Sequence, residues 1–412
     1  MNSSQPRKWA LVNAHLIDGN PGGYAGHGGL IIENGRIIAS GHQISRDSIG
    51  ALPAVDCNRR TVMPGLIDCH AHLTWDAQAS PVARLIDERA SSVRLALRAA
   101  ADAAAALERG STTVRDLGSP NEVIFPLRDA IRDGICRGPR ILAAGYVITT
   151  PAGHCHFVGQ HASDPLTARE VATRQIDAGC DVIKVMTSGG LHTPGSDPTS
   201  PQFSLESLRA IVDVAHAARR RVTGHATCDI AIRLAIEAGF DSIQHGTNLE
   251  PDTARALRQR NISVTPTLDT RYFLNQHLDD PEVPNVIRTR ARATAAGRSA
   301  AYQNALDAGV TVTAGTDSGT TFVPHGALST EIRLMHEGGL TPRQALASAT
   351  WLAAAEVGLP DMIGTLAAGA QADLLILNAD PLLDLSALDD IDVVLQSGIP
   401  VVGSLGAVTK VA

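Results

Sequence analysis

The sequence predicts an α/β protein: a (β/α)8 TIM barrel with a small composite β-sandwich built from both termini. Three observations carry that expectation. Strand-like and helix-like stretches alternate eight times through the middle of the chain. The two ends share another style, short strands joined by tight turns. A length of 412 residues exceeds one ordinary core but suits a barrel with a satellite domain.

The N-terminal part of the sandwich, residues 1–61, reads as "KWALVNAHLIDG" and "GGLIIENGRIIASG", with Asn34-Gly35 as a hairpin signal. The C-terminal part, residues 361–412, repeats the style in "ADLLILNADPL" and "IDVVLQSGIPVVG". Neither end has enough strands for an independent sheet, so the two are expected to pair.

Residues 62–360 are the expected barrel. Its candidate strands are "GLIDCHAH", "TTVRDLG", "RILAAGYVIT", "DVIKVMTSG", "RVTGHAT", "DSIQHG", "ISVTPTL" and "TVTAGTDSG". Helical stretches intervene, such as "SLESLRAIVDVAHAARR" and "DIAIRLAIEAG", whose apolar residues recur every three to four positions. The run Arg219-Arg220-Arg221 is expected to close the first of these, where it complements the helix dipole. Arg115 and Asp116, adjacent on the second strand, read as a structural ion pair.

Composition narrows the function. Hydrophobic residues make up 44% and aromatics only 3%, so the core must be built from Ala, Val, Leu and Ile. A net charge of -7 argues against a nucleic-acid partner, which calls for a basic face. No window reaches the ~18 apolar residues that span a bilayer, and the first residues lack an apolar leader core. The six cysteines form no Cys-x-x-Cys pair and are expected as reduced thiols of a cytoplasmic protein.

In a barrel of this kind the active site lies at the C-terminal ends of the strands. Reading each strand to its end yields His70 and His72 on the first, Lys184 on the fourth and His225 on the fifth. His245 follows on the sixth and Asp317 on the eighth. Residues i and i+2 of a strand share a face, so His70 and His72 can aim inward at one ion. Imidazole nitrogens and a carboxylate suit zinc and similar divalent ions. Taken singly, each has a plainer reading: His225 and His245 as satisfied core histidines, Asp317 as a helix cap. Their convergence at five strand ends favours a metal site.

Lys184, flanked by apolar residues in "DVIKVM", is costly to bury with its charge and has no lone pair while protonated. A snorkelling or salt-bridged lysine is one reading. The other is an amine of lowered pKa that captures carbon dioxide, its carbamate bridging two metal ions.

These residues resemble the metal-dependent amidohydrolase superfamily: "PGLIDCHAH", "IKVMTSGG", "GHA", "IQHG" and "AGTDSG" look like its ligand motifs in order. Within it, "GHCHFVG" and "PQFSLESLRAIV" are similar to the imidazolonepropionase-related branch. That branch includes Xaa-Pro and other dipeptidases, ochratoxin-type amidases, and hydrolases of carbamates and ureas. The resemblance implies one ion held by His70, His72 and Asp317, a second by His225 and His245, and carboxylated Lys184 between them. The ions are expected to be Zn2+, with Mn2+, Co2+ or Fe2+ as alternatives. Imidazolonepropionase and the related deaminases commonly use one metal and lack the strand-four lysine, which Lys184 speaks against.

What the resemblance implies for chemistry is hydrolysis of an amide bond in a dipeptide or N-acyl amino acid, with Asp317 shuttling the proton. His154 either donates to the oxyanion or fixes its loop, and His156 and His192 are further pocket candidates. Arg271 and Tyr272 are candidates for holding a substrate carboxylate. "GHATCDIAI" departs from the family's "HAHG" style, with Cys228 and Asp229 in place of the second His-Gly. A carbamate, phenylurea or other xenobiotic substrate therefore stays open, as does a mononuclear deaminase or cyclic-imide hydrolase. A non-catalytic barrel would lack stoichiometric metal. The partner is expected to be a small molecule, and the protein a homo-oligomer.

Overall fold

The computed structural model describes residues 7–88 and 91–405; the remaining parts of the expected sandwich, 1–6 and 406–412, lie outside the described residues. Both ends join one eight-stranded sheet. Strand Lys8–Ile17 pairs antiparallel with Ala25–Glu33, which turns into Arg36–Gly41. The turn is the Asn34-Gly35 hairpin, with both residues at positive φ (50° and 77°), as a type I′ turn demands. The ends meet where Thr61–Pro64 pairs with Leu374–Leu377 in the register Met63↔Leu375. Thr61–Pro64 thus belongs to this sheet rather than to the barrel. Trp9, Leu11, Leu30, Ile37, Val62, Leu374, Ile376 and Val393 pack into a core separate from the barrel's.

The barrel strands run parallel: Leu66–Ala71, Ser111–Asp116, Arg140–Ala143, Val182–Met186, Arg221–Ala226, Ser242–His245 and Ser263–Thr265. The third is broken, resuming at Val147–Thr149 after Gly145, which sits at φ +70°. The eighth segment, 310–318, is irregular, yet it bonds to both neighbours. Thr313 N donates to Val264 O, and Cys69 N donates to Ala314 O (both 3.0 Å). The chain can approach the first strand this closely because residue 315 is glycine: a Cβ there would lie 2.8 Å from His70 N.

Helices cover the outside, and their sequences explain their ends. Leu205–Ala217 starts where the Ser204 hydroxyl accepts from Ser207 N, and it buries Leu208, Ile211, Val212 and Ala215 on one stripe. It stops at Ala217, before the arginine run. Arg219 adopts φ +56° in the turn and Arg221 opens the next strand, so the run does not close the helix as expected.

Arg115 and Asp116 are not partners. Neighbours on a strand face opposite ways. Arg115 reaches Glu356 at 2.7 Å, both almost fully buried, while Asp116 accepts from Leu73 N and Ser119 Oγ. All six cysteines are free thiols. Among the described residues no helix is long and apolar enough to cross a membrane.

Candidate active site

At the C-terminal ends of the strands lies a cavity of about 870 Å3, open to solvent. His70, His72, Lys184, His225, His245 and Asp317 all line it. His70 sits in the first strand and His72 just beyond it, where His72 N donates to Ser318 O. Asp317 N donates to His70 O (2.7 Å), so the first and eighth segments bring their side chains together. Asp317 and His245 both adopt positive φ (55° and 68°), unfavourable for non-glycine residues, where the chain leaves its strand for a loop.

Asp317 Oδ1 lies 3.0 Å from His72 Nε2 and 3.3 Å from His70 Nε2. The His70 and His245 rings are 5.0 Å apart, and those of His225 and His245 4.7 Å. Lys184, 1% exposed, places Nζ 3.4 Å from His70 Nε2. Second partners orient the rings. His72 Nδ1 faces Gly118 O, His245 Nδ1 faces Thr267 Oγ1, and His225 Nε2 faces Gly189 O. Below them Asp68 accepts from His70 N, Thr316 N and Thr316 Oγ1, tying the first strand to the eighth.

Burial sets the protonation states. Desolvation, reinforced by the Lys184 charge, holds His70 well below its ordinary range. Burial likewise pushes His225 down to about 3 and keeps His245 low. Lys184 is brought down to about 7 by burial, with Asp317 opposing. Burial alone would raise Asp317, but the His72 hydrogen bond and charge outweigh it and the carboxylate stays ionised. Neutral imidazoles beside a carboxylate are the donor set of a divalent ion. His70, His245 and Asp317 each offer a ligand atom within 4.8 Å of the other two, and among the described residues His70 Nδ1 has no hydrogen-bond partner. The residues fit a metal.

The structure brings in some of the remaining expected residues and not others. His154 lines the cavity, its ring 4.5 Å from that of His225, with Nδ1 3.0 Å from Thr193 Oγ1. His192 lines it too, edge-on to Trp75. His156 does not: it is exposed in the short turn His156–Val158, which begins after Cys155 at φ +54° and swings it away from His154. Arg271 lines the cavity and donates to Ala291 O, whereas Tyr272 lies half exposed against Phe273, outside the lining. The two are consecutive in helix Leu268–Gln276, where one residue rotates the side chain by about 100°.

Sequence reading missed Trp75 and Arg298 in the lining. Arg298 comes from helix Asn285–Asp307 and donates to Thr267 O and Thr270 Oγ1. Nothing in "TAAGRSAAY" marks it; Trp75, three residues past the second histidine, was a readable signal.

The sequence matches the amidohydrolase family over residues 61–403. The chain belongs to the amidohydrolase family. It is therefore a hydrolytic enzyme acting on carbon–nitrogen bonds, in a family that generally uses divalent metal. The amidohydrolase is 30% identical to ochratoxinase of Aspergillus niger over 359 residues, 80% of this chain and 72% of that one. The crystal structure of A. niger ochratoxinase superposes with a TM-score of 0.85, covering 97% of this chain and 96% of that one at 26% identity. A Xaa-Pro dipeptidase with methionine bound in its active site matches at TM-score 0.86 and 28% identity, over 96% of this chain and 100% of that one. Imidazolonepropionase of Salinispora arenicola is 27% identical, over 95% of this amidohydrolase and 96% of its own length. These relatives agree with the branch that the motifs resemble.

Proposed function

We propose that this amidohydrolase cleaves the amide bond of a dipeptide or N-acyl amino acid with two divalent ions, most simply Zn2+. The observation that carries the reading is the buried Lys184 amine beside His70, within a ring of imidazoles and one carboxylate. An uncharged amine there can take up carbon dioxide, and the resulting carbamate supplies the anionic oxygens that a pair of cations needs. His70, His72 and Asp317 would hold one ion, His225 and His245 the other, with Lys184 shared.

Bound ions would activate a water and polarise the scissile carbonyl. The rest falls to the chain's own side chains. Asp317 receives the proton of the attacking water and returns it to the leaving nitrogen. His154 serves the carbonyl oxygen as it gains charge. The Thr193 hydroxyl, which accepts from Cys155 N (2.9 Å), can give its proton to His154 Nδ1, and in that tautomer Nε2 is the donor. Arg298 and Arg271 supply guanidinium groups in the wall for a substrate carboxylate. Trp75, Met186, Leu191 and Leu274 offer apolar surface to its side chains.

The test is a screen of dipeptides, N-acyl amino acids, carbamates and phenylureas against metal-loaded protein, read by release of amine. The reading expects free-carboxylate substrates to lead. Preferred turnover of carbamates or phenylureas would replace it with the xenobiotic reading, and one metal per chain with unmodified Lys184 would replace it with a mononuclear one.

A further inference from the structure

Residues 189–198 contain neither helix nor strand, yet they carry Leu191, His192 and Pro198 into the cavity wall. Thr227 Oγ1 donates to Gly189 O (2.9 Å) and Pro198 O (2.6 Å) at the two ends of this loop, and one arginine grips the stretch between them. Arg290, in helix Asn285–Asp307, directs Nη1 at Gly190 O (2.6 Å) and Thr193 O (2.9 Å), with Leu191 O further off at 3.3 Å. Its Nη2 donates to Ser196 O at 2.5 Å. Four carbonyls of one short loop thus converge on one planar donor fork. Only arginine offers that geometry; a lysine ammonium has three donors about one point.

The gripped loop also touches the chemistry. Thr193 Oγ1 meets His154 Nδ1, and Gly189 O meets His225 Nε2. Gly190 packs so tightly under the His154 ring that a Cβ would come within 2.3 Å of Nε2. The next helix residue, Ala291, lines the cavity and accepts from Arg271, so one turn of this helix braces two walls.

We propose that Arg290 is a positioning residue that locks the 189–198 loop as a rigid specificity wall, selecting the substrate's apolar side chain through Leu191 and Pro198 and keeping His154 in register. The inference rests on the amide-hydrolase reading for its substrate, but the lock itself can be measured without one. Losing several charge-assisted hydrogen bonds should open the loop by at least about tenfold.

The experiment compares Arg290→Ala, Arg290→Lys and the exposed control Arg292→Ala as metal-loaded holoenzymes. Hydrogen exchange across 189–198, metal content, and kcat and KM for N-acetyl and bulky N-acyl forms of one amino acid are measured. Arg290→Ala should raise exchange in the loop at least about tenfold, leave metal content unchanged, and raise KM more for bulky acyl groups than for acetyl. Arg290→Lys should fall between, and Arg292→Ala should match the parent. Unchanged exchange in Arg290→Ala overturns the lock; a loosened loop with an unchanged ratio of KM values overturns the specificity wall. Failure of the functional reading looks different: the parent protein itself then hydrolyses none of these amides, while the exchange result still decides the lock.

Discussion

Lys184 Nζ stands 3.4 Å from His70 Nε2, although 114 residues separate the two along the chain. A protonated ammonium and a metal-binding imidazole would compete for that space. Burial resolves the competition by lowering the lysine toward neutrality, and the freed lone pair can be carboxylated.

Replacing Lys184 by alanine should therefore cost more than a side chain. Lys184→Ala is expected to lower kcat by at least about 100-fold and, on the proposed two-ion reading, to reduce bound metal toward one ion per chain. Metal analysis beside turnover checks this; full activity in the variant would dispose of the bridging carbamate.

His154 separates oxyanion donation from loop support. His154→Asn should lower kcat by about 10²–10³, with KM and metal content close to the parent's. A rise in KM with unchanged kcat would instead mark the ring as a prop for its loop.

The Arg115–Glu356 pair is buried beneath the site, with Ser263 Oγ also donating to Glu356 and Arg115 Nε donating to Cys69 O. Glu356→Ala strands the guanidinium, and urea unfolding should show a loss of about 3–5 kcal/mol. Adding Arg115→Met in that background should recover part of the loss, because no buried charge then lacks a partner. An unstable double variant with no recovery would contradict this.

Asp269 and Glu331 carry two wholly buried neighbouring carboxyls, with Asp269 N donating to Glu331 Oε2. Burial, then the neighbouring Glu331, holds Asp269 well above its ordinary range, and burial pushes Glu331 up to about 7. A group whose pKa rises on folding favours the folded state while protonated. Its contribution fades as pH climbs from about 4.5 through 7. Glu331→Gln cannot ionise, so the parent should lose stability between pH 5 and 8 relative to this variant. Parallel stability curves for the two proteins would refute the assignment.

Much of the fold was legible because its signals are local. Asn34-Gly35 marks a hairpin by backbone preference alone, and the 3.6-residue stripe of Leu208, Ile211, Val212 and Ala215 marks a helix face. The six candidate ligands were legible for a similar reason: once the strands are counted, the barrel rule says which end of each holds the site. The irregular eighth segment was less so, since its hydrogen bonds come from the first and seventh strands rather than from a regular pattern of its own.

The amino-acid order was enough to place the six candidate ligands at strand ends that share one cavity, because strand periodicity acts over two residues and needs no distant partner. The fold alone chose Glu356 for Arg115, Arg290 for the carbonyls of the 189–198 loop and Arg298 for the cavity, and it turned His156 and Tyr272 away. Those choices depend on helix phase and loop path across separations of 100 residues or more in the case of Gly190 and Glu356, where the partner is set by which surfaces pack together and not by any neighbouring residue.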